Sequence, residues 1–171
     1  MKKRMLSKAV TLMWATAVVG QLAQDIPPAI QAPADQQLYL QVHAAGDQIY
    51  SCRSESRKFA WVLKAPEAQL SDSRGKAFGR HFAGPTWQSN DGSMVTGTLS
   101  AKVDSSDANA IPWLLLNVTS NQGAGILSRA KTIQRINTKG GKAPGSGCDR
   151  DHVDQQTRVH YSADYNFYAL K

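Results

Sequence analysis

His81, Trp87 and Asp91 fall within eleven positions of one another in the stretch GRHFAGPTWQSNDGS, Gly79 to Ser93. An imidazole, an indole and a carboxylate so close together offer a proton acceptor, a stacking surface and a charge. Gly79, Gly84 and Gly92 let the backbone approach a neighbour closely, and Pro85 sets the entry to a turn. A hairpin through this stretch is expected to bring the three side chains to one pocket or groove, with Trp87 at an exposed rim. His43 joins them if the polar face of its own strand (Tyr39, Gln41, His43) lines a cavity rather than solvent. His43, His81, Trp87 and Asp91 are therefore the candidate ligand-binding set, and His81 with Asp91 the candidate acid–base pair. The competing reading is structural: His81 holds a loop, and Trp61, Trp87 and Trp113 fill a core, as aromatics on sheet faces usually do.

Other chemistries find less support. The four histidines, His43, His81, His152 and His160, lack any compact ligand spacing, so neither a metal nor a cofactor is expected. A nucleophilic set could be drawn from Ser93, His81 and Asp91. No G-x-S-x-G elbow is present, however, and Asp91 and Ser93 flank a turn glycine, which hairpin chemistry explains better. Asn117-Val118-Thr119 has the form of a glycosylation site, but it lies within an expected strand and is discounted.

The elements that position these residues are read from alternation and turn signals. Leu38, Leu40 and Val42 alternate with polar neighbours, Ala44-Ala45-Gly46-Asp47 reads as a turn, and Gln48 to Cys52 as the returning strand. Phe59, Trp61 and Leu63 mark a third strand that Pro66 ends or places at an edge, and residues 67–71 a short fourth. Residues 78–83 resume pairing, Gly84-Pro85 turns the chain, and Asn90-Asp91-Gly92 is a hairpin turn. Residues 94–103 form the next strand, with a bulge at Gly97. An apolar run follows at 113–119. Residues 126–136 fit helix or strand and are assigned to strand, 137–147 to loop, and 158–168 to a final strand rich in aromatics. Many short strands between Gly and Pro turns, without a long amphipathic helix, predict an all-β antiparallel sandwich or barrel with long loops.

Lys2, Lys3 and Arg4 followed by an apolar run from Ala9 to Gly20 have the layout of a secretory leader, expected over residues 1–23. Residues 24–37, rich in Pro, Ala and Gln, read as an extended, poorly packed lead-in to an all-β domain at 38–171. Without the leader the formal charge falls from +7 to about +3, sixteen positive groups against thirteen negative, and no basic stripe remains to suggest a nucleic-acid partner. No membrane span is expected after cleavage. Two cysteines, Cys52 and Cys148, exported together into an oxidising compartment, are expected to pair.

The segments QVHAAGDQIYSC, WVLKAPEAQL, GRHFAGPTWQSNDGS, IPWLLL and IQRINTKGGKAP, then Cys148 and YSADYNFYA, resemble in that order a family of exported bacterial and fungal proteins catalogued only as a domain of unknown function. The likeness runs over roughly residues 38–169. Some fungal members of that family carry a malate dehydrogenase label; this chain has no G-x-G-x-x-G opening a helix after a strand and no βαβ alternation, so the label is rejected here. The expected function is that of a non-enzymatic binding module at a cell surface or in a periplasm, for a small molecule or an envelope glycan. The alternatives are a secreted hydrolase or lyase using His81 as acid or base, and an envelope-associated structural module.

Overall fold

A computed structural model describes residues 25–56 and 58–171. The leader expected over residues 1–23 lies outside the described residues. Eight strands follow one another: β1 (Gln36–Glu55), β2 (Lys58–Ser71), β3 (Ala77–Phe82), β4 (Thr86–Ser89), β5 (Met94–Val103), β6 (Trp113–Gln122), β7 (Thr132–Gly140) and β8 (Gln156–Leu170). Each pairs antiparallel with the next, and β8 pairs with β1, which closes the sheet into an up-and-down barrel. Pairing is complete around the ring, although β2 pairs with β3 only from Ala68 to Ser71, so residues 58–67 have a neighbour on the β1 side alone. Short 3₁₀ turns occur at Pro28–Ile30, Ile126–Arg129 and Arg150–His152. No helix among the described residues is long and apolar enough to cross a membrane.

The first two strands are longer than the sequence suggested. Ala44-Ala45-Gly46-Asp47 is not a turn: β1 runs straight through it, pairing with β2 on one side and β8 on the other. Small residues are needed there for packing. A Cβ on Gly46 would stand 2.1 Å from the Glu67 carbonyl oxygen, and Ala44 is fully buried opposite Ala163. Pro66 does not end β2; it stands at an edge, because β2 pairs with β3 only from Ala68 onward. It sits inside β2 opposite Gln48, next to a register shift at Ile49/Tyr50, and a bulge is where a strand tolerates proline. The chain actually reverses after β1, where Ser56 takes φ +50°.

Residues 126–136 divide between two states. Ile126–Arg129 is a 3₁₀ turn, and the strand begins at Thr132 and continues to Gly140, into the segment expected to be loop. The lead-in is also better packed than expected. Ile30 is completely buried in a small second core with Leu115 and Ile136 on the outer wall, and its carbonyl accepts a hydrogen bond from Gln134 Nε2 at 2.7 Å. The main core lies inside the barrel, with Val42, Leu70, Val95, Ile133, Tyr165 and Phe167 among its buried members. The bulge at Gly97 and the turn at Asn90-Asp91-Gly92 stand where alternation and turn chemistry placed them.

Cys52 and Cys148 form a disulfide that spans 96 residues. It joins β1 to the loop before β8. Backbone hydrogen bonds from Cys52 N to the Gln155 carbonyl (2.9 Å) and from Asp154 N to the Cys52 carbonyl (3.0 Å) flank it.

Candidate functional site

His81 and Trp87 are register partners on β3 and β4, and both point into the barrel, where they are 3% and 1% exposed. Their rings stack with centroids 4.4 Å apart and planes 13° from parallel. Tyr165 on β8 meets both edge-on, at 5.1 and 5.2 Å, and Phe167 closes on the far side of Trp87 at 6.3 Å. The exposed rim position expected for Trp87 is therefore corrected. A β-strand sends alternate side chains to opposite faces, and Trp87 occupies the inward phase with Ser89.

Beside this aromatic group lies a cavity of about 240 Å³. Its walls come from seven of the eight strands, β5 excepted, together with Gly84 and Pro85 of the turn that follows β3. It reaches into the barrel and is open to solvent beside Leu63, which is 52% exposed. Leu63, Leu114 and Leu116 supply apolar wall, and Gln48, His81, Trp87, Arg135 and Tyr165 supply polar atoms. An eight-stranded barrel is just wide enough either to fill itself with side chains or to hold one small ligand.

The chemistry of those polar atoms follows from their bonds. His81 Nδ1 lies 2.8 Å from the Thr86 carbonyl oxygen, which can only accept, so Nδ1 carries the proton. Burial, assisted by the nearby Arg135 guanidinium and opposed by the Thr86 bond, pulls the His81 pKa down to about 3. The imidazole is neutral at ordinary pH, and its Nε2 lone pair is an acceptor with no hydrogen bond to the described residues. Arg135 stands opposite Tyr165 and donates from Nε and Nη2 to the Pro112 carbonyl at 3.1 and 2.9 Å. Among the described residues no carboxylate forms an ion pair with it. Gln48 Nε2, Trp87 Nε1 and the Tyr165 hydroxyl are buried without a partner in the protein. Each such atom costs about 1–3 kcal/mol if nothing satisfies it.

The depressed His81 pKa makes stability depend on pH. The unfolded chain takes up a proton at about 6.5 and the folded one only near 3, so the contribution is complete above 6.5 and declines as pH falls toward 3. Between pH 7 and pH 5 the unfolding free energy is expected to drop by about 2 kcal/mol from this group. His81→Phe, which keeps a ring against Trp87, should remove that slope in urea titrations run at each pH. An unchanged slope in the variant would assign the effect to another group.

The other two predicted site residues lie elsewhere. Asp91 is in the β4–β5 turn, at the opposite end of β4 from Pro85, and it works as a staple. Its carboxylate accepts from the Ser93 amide and hydroxyl and from the Ile126 amide, while Ser93 Oγ accepts from the Leu127 amide. These bonds hold the Asp91 pKa down to about 2 and fasten the turn to the 3₁₀ segment. The set Ser93, His81, Asp91 is thus not assembled: the serine and aspartate are spent on each other and on backbone, and the imidazole bonds to Thr86.

His43 is half-exposed on the outer wall, so it does not share the lumen. Its Nδ1 lies 2.8 Å from Asp164 Oδ1, and Asn137 Nδ2 donates to Asp164 Oδ2 at 2.7 Å. The pair lines an open groove of about 680 Å³ with Trp113, Lys139 and Asp107. Of the β1 residues Tyr39, Gln41 and His43, His43 alone lines this groove, a different one from that of His81. Among the described residues no cluster of ligating side chains is suited to a metal ion.

Gln48, Arg135 and Tyr165 were not among the predicted site residues. The available signal is phase. Arg135 falls on the same face of β7 as buried Ile133, and Gln48 on the same face of β1 as Val42 and Ala44, so each is a polar residue in an inward register. Misplacing a turn at residues 44–47 hid the phase of Gln48.

The described architecture is that of a closed antiparallel barrel with a largely apolar cavity that a few polar side chains line. The family model described as "Protein of unknown function (DUF3455)" matches residues 33–169, and the chain belongs to that family. None of the curated proteins compared matches it, and none of the solved structures does.

Proposed function

We propose that the protein is an exported, non-enzymatic binding module that holds one small molecule in the lumen of its barrel, at a cell surface or in a periplasm. The observation that carries this reading is the cavity walled by seven strands, whose lining joins apolar residues to Gln48, His81, Trp87, Arg135 and Tyr165. A pocket with apolar walls and a few convergent polar atoms is the usual form of a ligand site. Export is supported by the leader-like residues 1–23 and by the disulfide, which persists in oxidising compartments.

The alternative of a hydrolase or lyase using His81 as acid or base is less well supported. A general base works best with a pKa near the operating pH, and His81 is held far below it, with a carbonyl rather than a carboxylate on its other nitrogen.

Leu114 lines the cavity and is only half-buried, so Leu114→Trp places its added ring in the lumen. Wild-type protein isolated natively and then denatured is expected to release a small molecule, detected by mass spectrometry, that the Leu114→Trp protein lacks. The milder Leu114→Phe should give an intermediate yield if the larger ring strains the fold. Identical profiles from wild type and both variants would sink the binding reading.

A further inference from the structure

The charge of the cavity wall narrows the ligand class. We infer that the lumen binds a small organic acid, its carboxylate directed to Arg135 and its apolar body laid against the aromatic group; this rests on the binding reading above.

Lys64 and Arg135 both line the cavity, and its wall includes no aspartate or glutamate. The outer groove is the contrast: Asp107 and Asp164 stand there with Lys139 and His43, so that groove has carboxylates of its own. Inside the barrel the guanidinium has two of its donors on the Pro112 carbonyl and no acid to neutralise it. A cation held partly out of water without a counter-charge is costly, and an anion that enters as ligand relieves that cost. Guanidinium is also the group that receives a carboxylate with two parallel hydrogen bonds.

The unpartnered atoms have the same bias. Gln48 Nε2 and Trp87 Nε1 can only donate, and the Tyr165 hydroxyl can donate as well. A ligand rich in acceptors satisfies them, and a carboxylate is the most compact of these. The rest of the wall, Leu114, Leu116, Pro66 and the face of the His81–Trp87 stack, suits a short aliphatic chain or a single ring. At about 240 Å³ the cavity lies below the ordinary range of drug-sized sites, which restricts the ligand to a small one. His81 Nε2 is an acceptor on the same wall, suited to a hydroxyl or amide hydrogen of the ligand body.

The test titrates the full, oxidised protein at neutral pH with benzoate and hexanoate, each against its own amide, by calorimetry and by tryptophan fluorescence. At least one carboxylate is expected to bind saturably and more than tenfold tighter than its amide, and to weaken as salt is raised. Arg135→Gln should lower carboxylate affinity tenfold or more and leave amide binding unchanged. Because Arg135 also supports the Pro112 carbonyl, Arg135→Lys serves as the second variant. It keeps the charge but loses the fork, so a severalfold loss is expected with the salt dependence retained. Amides that bind as well as the acids, or carboxylate affinity unchanged in both variants, overturns the acid proposal and leaves a binding lumen. If neither acids nor amides bind, or if Leu114→Trp binds them as wild type does, the acid proposal is overturned; a Leu114→Trp-sensitive molecule in the native release experiment then shows whether the binding reading survives alone.

Discussion

Removing the disulfide is expected to cost the protein about 4–5 kcal/mol of unfolding free energy, the loop-closure value for a bond that spans 96 residues. Cys52→Ala and Cys148→Ala should each produce that loss, measured by urea denaturation, and the double variant no more than either single one. The sum is not additive because both changes delete the same constraint on the unfolded chain. Cys52 is completely buried, so its replacement also leaves a small packing defect, and Cys148→Ala is the cleaner measure. Set against a typical whole-domain stability of about 5–15 kcal/mol, the loss brings the chain close to its threshold. A change below about 1 kcal/mol in both variants would mean that the strand pairing around Cys52 already restricts the unfolded chain as much as the bond does.

Trp87→Ala is expected to cost about 3–5 kcal/mol, as truncation of a fully buried aromatic does. The indole packs on His81, Tyr165 and Phe167 at once, so its removal opens a void that three rings cannot all collapse into. Trp87→Phe should cost less, because a ring is retained, and His81→Ala less again, because the imidazole is smaller. Midpoints of thermal melts rank the three. If Trp87→Ala melts within a few degrees of wild type, the indole is not buried in solution and the description of the lumen fails.

That ranking bears on how far the site was legible from residue types alone. The fold class followed from alternation and turns, and the span of β5 and the Asn90-Asp91-Gly92 turn came out as read, because there the local pattern and the tertiary structure agree. The errors came where small residues serve packing. Ala44 and Gly46 look like punctuation in one dimension, whereas Gly46 is a site of close backbone approach. The spacing of Ile126, Ala130, Ile133 and Ile136 fits helix or strand and cannot separate them; the bonds that shape residues 126–129 come from Asp91 and Ser93, more than thirty residues earlier. For the candidate site, proximity along the chain suggested that His81, Trp87 and Asp91 meet. Two of them do, since they pair across β3 and β4, but β4 carries Asp91 to the other end of the barrel. Arg135 and Gln48 reach the lumen only through the closing of the ring, which no local window contains.

The pairing of β1 with β8 fixes the order in which the molecule can be built. Every other neighbouring pair joins consecutive strands, which can zip as they form, while the final seam brings Gln36 against Leu170. Contacts of such large sequence separation require loop-closure entropy to be lost before they gain anything, and proteins dominated by them fold slowly. Until β8 arrives, β1 has one row of unpaired backbone groups and the aromatic group lacks Tyr165 and Phe167. The incomplete sheet is then an exposed edge beside an open core, the form in which β proteins most readily associate with one another. Ring closure and disulfide formation bring together the same two regions of the chain, so the bond once made turns this slow step into a short-range one each time the barrel reopens.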